Sequence, residues 1–211
     1  MARFRTERGF DRLVNFSDAA VAIAITLLLL PLVDVAVEIE HESLGDLLAS
    51  NLGTLIAFGF TFAVIARLWF SHHRIFEAAV DYDDAVILIN FVWLASIVVM
   101  PFTANVLAHS DTVDPGVNSL YIGTVLLSNL TLSWLVVHLR RHPELTVREG
   151  RVHLRVVDSL ITTGTIALAL LLAALFPAVG MFWLLLLVPA NVIAGMVQRG
   201  RYSTSGRPGA P

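Results

Sequence analysis

Six apolar runs, each about as long as a bilayer's hydrocarbon core is thick, leave this chain of 211 residues little freedom in how it folds. They lie at about Val14–Val33, Leu44–Phe70, Ala85–Leu107, Val117–Val137, Val156–Phe176 and Ala178–Gln198. Backbone groups in lipid have no water to bond, so such runs must close their own hydrogen bonds as helices or barrel strands. Barrel strands alternate polar and apolar residues, and these runs do not. The expected fold is an all-α integral membrane protein with six transmembrane helices, residues 1–198. A Gly-, Ser- and Pro-rich tail, 199–211, is expected to be disordered. Composition agrees, with 56% hydrophobic and 15% charged residues against roughly half and a quarter in soluble domains.

The charges are sorted by connection. Arg3, Arg5, Arg8 and Arg12 precede the first run, Arg67 and Arg74 flank the second connection, and Arg140, Arg141, Arg148, Arg151 and Arg155 flank the fourth. Arg199, Arg201 and Arg207 follow the sixth run, which accounts for all 14 basic residues and leaves the other connections with none. Arginine concentrates on the cytoplasmic side, so both termini are expected in the cytoplasm of a multi-pass bacterial plasma-membrane protein. The opposite side is acidic, with Asp34, Glu38, Glu40, Glu42, Asp46, Asp111 and Asp114, a field that concentrates cations. The first run follows a basic segment as a signal peptide would, but no small-residue cleavage site follows it cleanly, so it is read as a retained helix. Cysteine is absent, which excludes thiolate metal sites and thiol chemistry.

The first run, RLVNFSDAAVAIAITLLLLPLV, carries polar residues only at its head. At 100° per residue, Phe16, Ala19, Ile23, Thr26, Leu27, Leu30 and Asp34 fall within about 60° of one line, and Asp18 lies on the opposite side. One face therefore presents Ile23, Thr26, Leu27 and Leu30, with the acidic Asp34 at the outer end. Arg12 and Asp18 are about 120° apart and cannot pair within the helix, so each is expected to seek a partner on a neighbouring helix. Trp69, His72 and His73 at the end of the second run, and Asn90 near the start of the third, lie at the same depth. An alternative is that Ser17 or Asp18 caps the first helix while Arg12 anchors it at the headgroups.

Arg12-x-x-x-Phe16-Ser17-Asp18, running into AIAITLLLL and Pro31, resembles the signature of the transmembrane protein 175 family, potassium-permeable channels of animal endolysosomes and their bacterial relatives. Trp69-Phe-Ser-His72-His73-Arg74 resembles that family's second-helix end. The resemblance implies a homotetramer with the first helix lining a central pore, permeant potassium and no cofactor. It makes Ile23 the narrowest hydrophobic ring, Thr26 a hydroxyl ring one turn outward, and Leu27 and Leu30 extensions of the constriction. Arg12, Ser17, Asp18, His72 and His73 would hold the pore helix in place. A ring of isoleucines is a dewetting gate, and no TVGYG-like carbonyl filter occurs in the chain.

Two other classes fit less well. A secondary transporter would place carboxylates at mid-membrane and break paired helices there; Pro101 and Pro189 are expected to break the third and sixth runs, but no carboxylate lies at that depth. An enzyme is not expected, because no catalytic pair shares a depth. His138-x-x-x-His142 has metal-ligand spacing but sits beside Pro143 without a clear third ligand, and is read as surface. The expected partners are other copies of the chain, the bilayer and monovalent cations, with no nucleic acid.

Overall fold

The computed structural model describes residues 7–37, 43–110, 114–147, 154 and 156–187. Among these the fold is all helical, with α1 (Glu7–Leu27), α2 (Leu30–Val37), α3 (Leu44–Ser50), α4 (Leu52–Glu77), α5 (Asp84–Ala108), α6 (Pro115–Arg141) and α7 (Val156–Leu175). A 3₁₀ segment, Pro177–Leu186, follows α7 and is broken at Gly180. Among the described residues five helices are long and apolar enough to cross a membrane: Arg8–Val33, which joins α1 to α2, then α4, α5, α6 and α7. The sixth run is described only as far as Leu187, and the 199–211 tail lies outside the described residues.

Local chemistry sets the helix ends. Asp83 accepts the Val86 N–H at 2.8 Å and starts α5, and Asp114 accepts from Gly116 and Val117 ahead of Pro115 at the start of α6. Each carboxylate satisfies amides that have no partner within the helix. Ser43 likewise caps the short α3 through the Asp46 N–H. The second span therefore begins at Leu52, after the break at Asn51, and not at Leu44.

Prolines act differently in two places. Pro31 has no N–H to give the Leu27 carbonyl, and the chain tightens through Leu28 N–H to Ile25 and Leu29 N–H to Thr26 before α2 resumes. One helical wheel therefore cannot be carried from Ile23 through to Asp34. By contrast α5 runs unbroken through Pro101, against the expected break; Pro189 lies outside the described residues. The two prolines line one small cleft with Leu28, Thr54 and Asn105.

α5 packs most extensively on α6 and α6 on α7, α1 rests on α5, and α4 touches α1, α5 and α6. In lipid no hydrophobic drive holds helices together, so close packing and interhelical hydrogen bonds must do so. Ala24, Ala169 and Ala173 are wholly buried at these contacts. Tyr121 and Thr61 bond through their hydroxyls at 3.0 Å between α6 and α4. Ser133 meets Ser159 at 2.6 Å and Thr163 at 2.9 Å between α6 and α7.

At the arginine-bearing end the connections interlock. Val80 N–H bonds the Leu145 carbonyl and Val147 N–H the Ala78 carbonyl. Phe10 of α1 stacks on Phe76 and Tyr82 beside this seam. The beginning of α1 is thus tied to the end of α4.

Candidate functional site: the first helix and its polar anchor

α1 has two unlike faces. Ser17, Val21, Ala24 and Leu28 recur at helical spacing and are all buried against the bundle. Ile23 is 60% exposed, Leu30 57% and Leu27 39%, and Thr26 is exposed beside them. α1 is therefore apolar on both faces: one packs Val21, Ala24 and Leu28 with Ser17 against the bundle, and the other leaves Ile23 and Leu27 bare. Leu30 belongs to α2, beyond the Pro31 break, yet is exposed like Ile23. Asp34 lies on the backbone of α2, and its side chain is outside the described residues.

Ser17 sits ten residues after Glu7 within one continuous helix, so it does not cap α1. Its hydroxyl donates to the Leu13 carbonyl at 2.8 Å. With that proton committed, the oxygen accepts Asn90 Nδ2–H at 2.8 Å. Asn90 Oδ1 therefore faces His72 Nε2 at 2.8 Å, and the imidazole must donate through that nitrogen. The result is a one-directional chain from α4 through α5 to α1: His72 to Asn90, Asn90 to Ser17, Ser17 to Leu13. His72, Asn90 and Ser17 are all buried, where an unmade hydrogen bond is expensive.

Aromatic rings clamp this chain. The His72 ring lies flat on Trp93, with centroids 3.9 Å apart and planes at 10°, and packs on Phe76 at 4.3 Å. A second tie runs beside it: Trp69 Nε1–H donates to Asp18 Oδ1 at 2.8 Å. His73 stacks on Trp69 at 5.2 Å and faces Glu77 at 3.3 Å, so it bears on Asp18 only through the indole. Phe16 meets Phe91 of α5 with centroids 5.9 Å apart.

Of the residues expected to form one inter-helix network, the structure joins Ser17, His72 and Asn90 in one chain and Asp18 with Trp69 in another. Phe16 contributes a ring contact, and His73 stacks on Trp69 and faces Glu77 of its own helix. Arg12 is left out: it is exposed and lines an open groove with Phe16, Tyr82, Ile87 and Phe91. Among the described residues no hydrogen bond joins it to either tie. Trp93, the ring under His72, was missed by the sequence reading. Its i,i+3 spacing from Asn90 placed both on one face of α5 and was the signal available.

His138 is also more than surface. Its Nε2 lies 2.9 Å from Asp83 Oδ2, with both side chains largely buried, which links the end of α6 to the cap of α5. Its ring packs on His142 at 4.5 Å, and His142 faces Glu144 at 3.0 Å. Burial pushes the Asp83 carboxyl up, but the Val86 and His138 hydrogen bonds and the nearby histidines outweigh it and hold it below its ordinary value.

The model of the family described as "Endosomal/lysosomal potassium channel TMEM175" matches residues 12–101. A potassium channel of Chamaesiphon minutus is 36% identical over 99 residues, covering 46% of this chain and 49% of that protein. The endosomal/lysosomal proton channel TMEM175 of Mus musculus is 27% identical over 119 residues, 54% of this chain and 23% of the mouse protein. The chain thus spans about a quarter of the length of the animal relatives it matches. The crystal structure of a lysosomal potassium-selective channel TMEM175 homolog from Chamaesiphon minutus superposes with a TM-score of 0.68 at 25% identity, covering 89% of this chain and 97% of that one. Residues 12–101 are thus similar to the TMEM175 family, and the chain shares the fold of that bacterial homologue.

Proposed function

We propose that this chain is the subunit of a potassium-permeable cation channel in which α1 lines a central pore formed by four copies. The observation that carries this reading is the second apolar face of α1, left bare while the other is fastened to the bundle. The Ser17 face is fastened to α4 and α5, while Ile23, Thr26 and Leu27 stand exposed on the subunit surface. Symmetry-related copies would bring that face together as rings around the axis.

Ile23 is then the dewetting constriction, with Leu27 and Leu30 extending it. Thr26 donates its hydroxyl proton to the Ile23 carbonyl at 2.7 Å, which leaves both lone pairs of the oxygen available to an ion. Such a ring replaces part of a hydration shell and favours potassium, whose shell is cheaper to remove than sodium's. The Ser17–Asn90–His72 and Asp18–Trp69 ties hold the helix and do not touch ions. No carbonyl filter loop takes part. The sorting of arginine supports six spans with both termini cytoplasmic in a bacterial plasma membrane.

Single-channel recording of the purified protein in planar bilayers, with potassium on one side and sodium on the other, tests the reading. Stepwise ohmic currents that reverse toward the potassium potential are expected, and Ile23→Ser should raise the current. A reversal that follows the proton gradient would make the proton the permeant ion. Silence, or a saturable flux that needs a coupling gradient, would replace the channel with a secondary transporter.

A further inference from the structure

α4 carries two arginines that converge where like charges should avoid each other. Arg67 lies ten residues before the end of α4 at Glu77, inside the membrane-crossing helix. Its guanidinium reaches forward one turn to the Ser71 hydroxyl. Arg74 folds back one turn, and its guanidinium carbon sits 4.5 Å from the centre of the Phe70 ring. Both cations thereby come to the level of residues 70–71. Among the described residues neither arginine has an ion pair. Ser71 already donates to the Arg67 carbonyl at 3.1 Å, so its oxygen can only accept from Arg67.

The position fixes the surroundings. Arg67, Phe70 and Arg74 are exposed on the face of α4 turned away from Trp69 and from α5. The same face continues through Ala63, Ile56 and Leu52 as an exposed apolar track. At 26 residues α4 is about 39 Å long, longer than the roughly 30 Å hydrocarbon core. Its last turns therefore stand in the headgroup layer, with Arg67 just beneath it and stretching outward.

We propose that Arg67, positioned by Ser71, and Arg74 form a binding site for the phosphate of an anionic phospholipid, with one acyl chain lying along Ala63, Ile56 and Leu52. A phosphate between the two guanidiniums removes their repulsion and accepts from each fork, the pairing for which arginine is best shaped. Phe70 holds Arg74 facing the site. The proposal does not depend on conduction, only on the helix lying in a bilayer.

The test is native mass spectrometry of the purified full chain in detergent, titrated with phosphatidylglycerol, phosphatidylcholine or inorganic phosphate. The variants are Arg67→Gln, Arg74→Gln, the double variant and Arg67→Lys. Phosphatidylglycerol should bind more tightly than phosphatidylcholine, and each glutamine should weaken it roughly fivefold. The lysine variant should fall between. Elution volume and helical circular dichroism show which variants are folded, and Arg74→Gln, nearer the helix end, serves if Arg67→Gln is not. Equal phosphatidylglycerol affinity in the folded variants overturns the site. Displacement of the lipid by millimolar inorganic phosphate makes it a free-phosphate site and overturns the lipid assignment. Loss of oligomer with lipid binding intact would show that a second copy supplies the counter-charge, which also overturns it.

Discussion

Asn90 on α5 donates its side-chain amide to the hydroxyl of Ser17 on α1 at 2.8 Å, 73 positions away in the chain and wholly out of contact with the surroundings. Because Ser17 has spent its own proton on Leu13, the direction of this bond is fixed. So is the direction of the next one, from His72. Replacing Asn90 by Ala strands two buried partners and should lower stability by about 1–3 kcal/mol, read as a lower unfolding midpoint in detergent. Asn90→Asp should also be destabilised, since a carboxylate cannot donate to Ser17. A wild-type midpoint for the Asp variant would show that the chain has no fixed direction.

Trp69→Phe keeps the ring under His73 but removes the N–H held by Asp18. A hydrogen bond to a charged group contributes about 1.5–3 kcal/mol, so a loss of that order is expected. A double-mutant cycle with Asp18→Asn isolates the pair. A coupling energy near zero would mean that the indole stabilises α1 by packing alone.

Thr26→Val preserves the shape of the exposed α1 face and removes the oxygen that Thr26 leaves free after bonding Ile23. On the channel reading, the ratio of potassium to sodium permeability should fall about two- to tenfold, the equivalent of one hydrogen bond. The bi-ionic reversal potential measures it, and an unmoved potential places discrimination elsewhere.

Asp83 gives a pH dependence with a definite sign. Its folded-state pKa lies below the ordinary value, so folding holds its charged form. The stability it contributes is complete above the unfolded-state pKa, about 3.9, and is lost as pH falls through the folded value. Thermal unfolding followed from neutral pH to about 3 should show the midpoint dropping at the acid end, and Asp83→Asn should flatten that drop. An unchanged slope in the variant would assign the acid sensitivity to other carboxylates.

Gly180 has φ of 56°, and a Cβ placed there would come within 2.9 Å of Asn118 Oδ1. Gly180→Ala should therefore cost about 1–3 kcal/mol through backbone strain alone, with the clash against α6 in addition. A wild-type unfolding midpoint would show that the segment after Pro177 adapts by other means.

The sequence by itself determined that the chain spans a membrane as helices, because length, apolarity and the absence of alternation are local properties that lipid reads directly. It also determined which α1 residues share a face as far as Leu27, since a helix converts spacing into direction, and it named the anchor residues by depth. Depth could not say which of them meet. Arg12, Asp18, His72, His73 and Asn90 lay at one level, but only the packing of α1 against α4 and α5 sent Asn90 to Ser17 and Trp69 to Asp18 and left Arg12 outside. The cap reading of Ser17 failed because α1 is already helical at Glu7, ten residues earlier. Beyond Leu27 the wheel has no continuous helix to rest on, because Pro31 removes one hydrogen bond there, although Leu30 is exposed like Ile23. His138 looked like surface because its partner, Asp83, lies 55 positions away. Such contacts depend on where two helices end relative to each other, and that is set by the tertiary structure, not by the residues around either one.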